Sequence, residues 1–197
     1  LVLSAKGPIA IRNGVYSGNV VIISDTVITV YATAMLTDVI LAAPKIIFEE
    51  GFKGNLQTFA SDSIIVKKNV SFRYPSVLGI VAAKAEKNCA IVLTENDSLA
   101  GNVFIYQVTI DSYKRAGILI GNKSVITGQV YSSGYIDMKG AVFGSLMCSK
   151  FLLVTPSSVY ENHLLNAVID QPALPAYFTG ITLTPGSVAK KIVKWLN

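Results

Sequence analysis

Between Val20 and Arg73, short apolar runs alternate with polar corners, and the same unit returns three times. It reads Val21-Ile22-Ile23-Ser24-Asp25-Thr26-Val27-Ile28, then Leu41-Ala42-Ala43-Pro44-Lys45-Ile46-Ile47, then Phe59-Ala60-Ser61-Asp62-Ser63-Ile64-Ile65. The period is roughly 18 residues, too short for one copy to enclose a core, so copies must stack to bury their apolar faces. The second and third copies align without a gap: Ile46 to Phe52 lies over Ile64 to Val70, with Gly51 and Asn69 at the same place. Both residue types tolerate positive φ, as a sharp corner between short strands requires. Asp25, Pro44 and Asp62 share a second corner slot, the only kind of place where a proline fits a ladder. Apolar residues are expected to face inward and stack on like residues. In that scheme Ile47 is an interior position, and Ile47→Asp is expected to unfold the chain.

The pattern continues less regularly on either side. Asn13-Gly14 has the composition of a tight hairpin turn and predicts an antiparallel ribbon of Ile9 to Arg12 and Val15 to Ser17. Polar and charged residues from Lys84 to Asn102 predict a protruding excursion around the run Ala90 to Leu93. Val103 to Tyr106, Gly117 to Asn122, Val130 to Ile136 and Phe151 to Val154 resume the strand pattern. Beyond Leu164 the prolines of Asp170-Gln171-Pro172 and Leu174-Pro175 end it. Ser187 then caps a short predicted helix with Val188, Ile192, Val193 and Leu196 on one face. The expectation is one all-β domain over 1–197: a parallel β-solenoid with coils over 19–162, a ribbon cap over 1–18, and a C-terminal cap segment over 163–197 with its short helix. The ribbon and the last segment are the expected covers of the two open ends of the stack.

Composition narrows the classes. The chain has 197 residues, 51% hydrophobic and 15% charged, well under the roughly 25% charged of an average domain. Much of it must be buried. No apolar run reaches the roughly 18 residues of a membrane-spanning helix, because Ser24-Asp25, Thr37-Asp38 and Pro44-Lys45 interrupt the best candidates. The formal charge of +5 is dispersed, with three arginines and no basic run longer than the pairs Lys67-Lys68, Lys114-Arg115 and Lys190-Lys191, which argues against a nucleic-acid partner. The chain begins at Leu1 without a signal-like stretch. That reads as a trimmed or processed chain, whose export signal or membrane anchor would lie before Leu1.

On these coils and their Gly or Asn corners, over roughly 20–160, the chain resembles right-handed parallel β-solenoid proteins, in particular the bactofilin-like, polymer-forming proteins of the bacterial envelope and cytoskeleton. It departs from them in the middle excursion, the proline-rich end and the terminal helix. The resemblance implies a structural or scaffolding role, no cofactor and no catalytic residues, and partners met through the ends or faces of the stack, including further copies of the chain. It places the protein in the cell envelope or outside the cell.

Candidate chemistry changes this picture little. His163 is the only histidine and stands beside no nucleophile motif. Cys89 and Cys148 lack metal-ligand spacing and read as buried thiols, with a single bridge as the alternative. No phosphate loop, zinc spacing or calcium loop is present, so no cofactor is expected. Asp25 and Asp62 suggest a polysaccharide-processing groove, but Lys45 between them opposes a cation site. Tyr106, Tyr113, Tyr131 and Tyr135, with Tyr74, offer amphipathic rings of the kind that lie against sugars or fill interfaces. The expected function is a non-catalytic structural or interaction module of a bacterial cell-envelope or surface protein. A carbohydrate-binding module, or a polysaccharide lyase or hydrolase, is the runner-up.

Overall fold

The computed structural model describes residues 1–82, 89–107 and 116–180. Fourteen strands follow one another: β1 (Val2–Ala5), β2 (Ile9–Ile11), β3 (Val15–Ser24), β4 (Val27–Val30), β5 (Met35–Phe48), β6 (Lys53–Val66), β7 (Ser71–Ala82), β8 (Ala90–Glu95), β9 (Ser98–Gln107), β10 (Gly117–Asn122), β11 (Val125–Met138), β12 (Ala141–Val154), β13 (Val159–Glu161) and β14 (Val168–Ile169). Every pairing is parallel except that of β12 with β13.

The sequence period reappears as strand register. Ile46, Ile47 and Phe48 of β5 pair with Ile64, Ile65 and Val66 of β6, each 18 residues further on. Successive pairings line up Ile9, Ile28, Ile46, Ile64, Ile91, Ile118 and Ile136 in one row across the core. A second row runs through Ile22, Leu41, Thr58, Leu78, Val103, Val130 and Leu146. Stacking like on like lets β-branched side chains pack in their preferred strand rotamers, and each fully buried isoleucine contributes about 1.5–3 kcal/mol. Phe48, Phe52 and Phe72 fill the space beside these rows, with ring centroids 4.9–6.0 Å apart.

The β-solenoid with a C-terminal helix is overturned as the fold. β6 pairs with β7 through Lys53–Ala60 but with β8 through Ser63–Val66, and β11 likewise divides its length between β9 and β10. The pairings β6-β7-β9-β11-β10-β8-β6 therefore close into a six-strand parallel β-barrel, with the other strands outside it. The physical reason is strand length: β6 and β11 have 14 residues each, and each runs on past the point where its partner changes, between Ala60 and Ser63 in β6, where the repeat predicted a corner, and between Ser132 and Tyr135 in β11. Among the described residues there is no helix. The helix expected after Ser187 falls on 181–197, outside them.

Other expectations change as well. The Asn13-Gly14 ribbon is absent: β2 pairs with β4, and β3 with β1 and β5, all in parallel. Of the excursion, 83–88 lie outside the described residues, and the rest is β8 and β9 joined by a tight turn at Asn96, whose φ is 57°. Gly51 and Asn69, matched in the sequence, have φ of 79° and 62°. Ile47 is half-buried; the interior positions of that stretch are Ile46 and Phe48.

Candidate functional site

Both ends of the molecule finish in strands paired on one side only; among the described residues β13 and β14 pair only with β12. At the far end, Leu152–Val154 of β12 pairs with β13, Ala141 and Val142 pair with β14, and Gly144 donates its N–H to the Asp170 carbonyl at 2.9 Å. At the near end, β1 pairs only with β3, and β2 only with β4, among the described residues. Each of these strands thus keeps one edge of backbone groups open along its whole length. Neither strand carries a charge or a proline, the usual protections of an edge.

Between the two edges the core opens into a cleft of about 360 Å³, lined by Leu3, Ala5, Ile9, Ile11, Tyr16 and Ile22 among others. Leu1 and Val2 stand exposed beside it at 73% and 63%. Ser4 is also in the lining, and Arg12 at its rim lies over the Tyr31 ring, 4.9 Å from the centroid. Gly7 turns the corner between the strands with φ of 115°, and its N–H is held by Asp25 Oδ1 at 2.6 Å. Lys6, next to that corner, is exposed. The arrangement offers backbone donors and acceptors on two edges, an apolar hollow between them, and cations at the rim.

The tyrosines do not form one stripe. Tyr131 on β11 faces Phe104 on one side and Met147 on the other. Tyr106 pairs with Val81 on the same run of strands. Tyr135 belongs to the other ladder, beside Gly117 and Lys150, and its ring covers Gly117. Tyr113 lies outside the described residues. Tyr74 sits in the bulge between Phe72 and Ser76, where it touches the rings of Tyr177 and Phe178 and accepts the Thr179 N–H at 3.3 Å. It therefore holds the last described residues against β7.

No family model, curated protein or solved structure matches this chain. The remaining candidates are read from geometry alone. His163 is exposed, with Nδ1 2.7 Å from the Glu161 carbonyl. Cys89 and Cys148 are not joined in a disulfide, and burial raises the pKa of each. Asp62 lies close enough to Cys89 to add to that effect. Asp25 is committed to Gly7.

Two features escaped the sequence reading. The open edge was hidden because Asn13-Gly14 looked like a hairpin, although Leu3 and Ile22, and Ile9 and Ile28, keep the same spacing of 19 that their pairing uses. Asp97 falls within the protruding excursion that the sequence predicts. It is 1% exposed, and Oδ1 accepts the Val70 N–H at 2.9 Å while no partner is found for Oδ2. Burial pushes its pKa up to about 6, against the pull of backbone N–H groups at Val70, Thr94 and Glu95.

Proposed function

We propose that the protein is a non-catalytic structural or interaction module that holds another polypeptide at its near end. The observation that carries this reading is the pair of edges on β1 and β2, unoccupied among the described residues, flanking a cleft lined largely by apolar side chains. Unpaired strand edges bind extended chain through main-chain hydrogen bonds, with pockets for alternate side chains supplying selectivity. The framework behind the edges suits that task. The isoleucine row ties β2 through β4, β5 and β6 to β8, so the binding strands rest on a continuous core and are ordered before a partner arrives.

A selection from a random peptide library displayed on phage tests the reading. The selected peptides are expected to lose binding to Leu3→Lys, which puts a charge in the cleft, and to keep it for Met147→Lys on the outer face of β12. Peptides that bind both variants equally, or a selection that returns none above background, would overturn it.

A further inference from the structure

The open end also says what kind of segment it takes. We infer, resting on the interaction reading above, that the partner is an extended segment laid along β1, around the Lys6 corner and along β2, with apolar residues at alternate positions and a carboxylate at its corner.

Three observations lead there. First, the edges of β1 and β2 are joined by the three residues Lys6, Gly7 and Pro8, which turn at Gly7, so one chain that satisfies both must itself run strand, corner, strand. Second, the cleft between them is lined largely by apolar side chains, with Ser4, Arg12 and Asn13 as its polar members. Because strand residues alternate sides, the occupant must be apolar at every second position and is free at the others. Third, the corner is basic. From Leu1 to Arg12 the charged side chains are Lys6 and Arg12, with no acid among them.

Inside the molecule, neighbouring corners already meet in this way. Lys67 Nζ lies 2.7 Å from Glu49 Oε2, across the corners that follow β6 and β5. Lys68 Nζ lies 2.8 Å from Glu95 Oε2, across those that follow β6 and β8. In both, a lysine at one corner takes a carboxylate from the chain stacked next to it. At Lys6 the neighbouring acid on the inner side is Asp25, and its carboxylate is held by the Gly7 N–H. No ion pair of Lys6 is found among the described residues, and a carboxylate brought to its open side would complete there the arrangement seen at Lys67 and Lys68. A second copy docked near end to near end would bring Lys6 and Arg12 against their own likeness, which disfavours it.

The probe is a fluorescent peptide with the sequence of residues 20–30, joined to a polyethylene glycol tail for solubility. This segment has apolar residues at the inward positions Val20, Ile22, Ile28 and Val30 and Asp25 at its corner, and it is the chain's own neighbour of β1 and β2 on their inner side. Fluorescence anisotropy with the full chain is expected to show saturable binding. Replacing the peptide's aspartate by lysine should weaken it about fivefold or more, and Lys6→Glu in the protein should reverse that preference. Both protein variants are checked for an unchanged melting curve, since Lys6 is exposed and its exchange leaves the core alone. Equal binding of the two peptides overturns the carboxylate inference while leaving the interaction reading standing. Failure of both peptides, together with an empty library selection, overturns both. Concentration-dependent dimerisation in sedimentation that Leu3→Lys abolishes would replace the proposed segment with a second copy.

Discussion

The core is built in two ways. Before residue 75 it is almost wholly apolar: three phenylalanines meet at Phe48, Phe52 and Phe72, and the only buried polar side chains are Ser24 and Thr58. Beyond residue 75 the same ladders carry Ser76, Asp97, Asn102, Gln107, Ser124, Ser132 and Asp137 in buried positions. One corner shows the change directly. Val70, Asp97 and Ser124 occupy equivalent places in successive strands; Asp97 Oδ1 accepts from the Val70 N–H, and Ser124 Oγ accepts from the Asp97 N–H at 3.2 Å. The first half is held by area removed from water, and the second in part by hydrogen bonds whose strength depends on protonation. One backbone plan thus supports two kinds of core, and they should fail differently.

The largest effect should come from charging the apolar half. Ile64 is fully buried between Ile46 and Ile91. Ile64→Asp leaves a carboxylate with no partner there and should cost about 4 kcal/mol or more, enough to unfold most domains. Ile47→Asp, one residue from Ile46 but half-buried, should cost no more than about 1–2 kcal/mol. Circular dichroism during urea titration reads both. Equal losses would mean that the two faces of β5 are not distinguished as described.

A smaller loss is expected in the polar half, where glycine replaces bulk. Gly101, Gly128 and Gly144 pair across β9, β11 and β12, with φ of 148°, 150° and 145°. A β-carbon on Gly101 would collide with the Ser76 carbonyl, and the backbone there is one that L-residues rarely adopt. Gly101→Ala should therefore cost about 2–3 kcal/mol. A drop below about 0.5 kcal/mol would show that the second half yields where the first does not, and would break the comparison at its packing.

How much of this was legible in the residues depends on which forces the sequence displays. The 18-residue spacing of Ile46 and Ile64 is a direct print of register, because like residues stack only when the pairing repeats. The closure of the ring was not legible. It follows from β6 and β11 running on while their partners change, between Ala60 and Ser63 and between Ser132 and Tyr135, and a change of partner leaves no mark in apolar periodicity. The inward face of β5 was misjudged by one position, since Ile46 and Ile47 are chemically identical and only the strand's phase decides between them. The tyrosines failed as a site for a similar reason: Tyr131 and Tyr135 are close in sequence yet lie on either side of a shift in register. Asp97 looked like a loop residue because an acid at a corner is ordinarily solvated. Its burial depends on the strands stacked to either side, at Val70 and Ser124.

The smallest and most specific prediction concerns that aspartate. Its folded pKa of about 6 lies above the usual value of 3.8, so the folded state holds a proton that the unfolded chain has already released. Below about pH 4 both states are protonated and the group costs nothing. Between pH 4 and 6 the unfolded chain alone ionises, and stability falls as pH rises; above 6 the full cost is present, at most about 3 kcal/mol and nearer 1–2 after relaxation of the corner. Asp137, also raised by burial, acts in the same direction. Asp97→Asn keeps an oxygen for the Val70 N–H and cannot ionise, so its stability should change less between pH 4.5 and 7.5 than that of the parent chain. Urea unfolding of both proteins at the two pH values isolates the difference from every other titrating group. Parallel curves would show that Asp97 ionises freely in its corner, and the polar half would then owe no more to protonation than the apolar one.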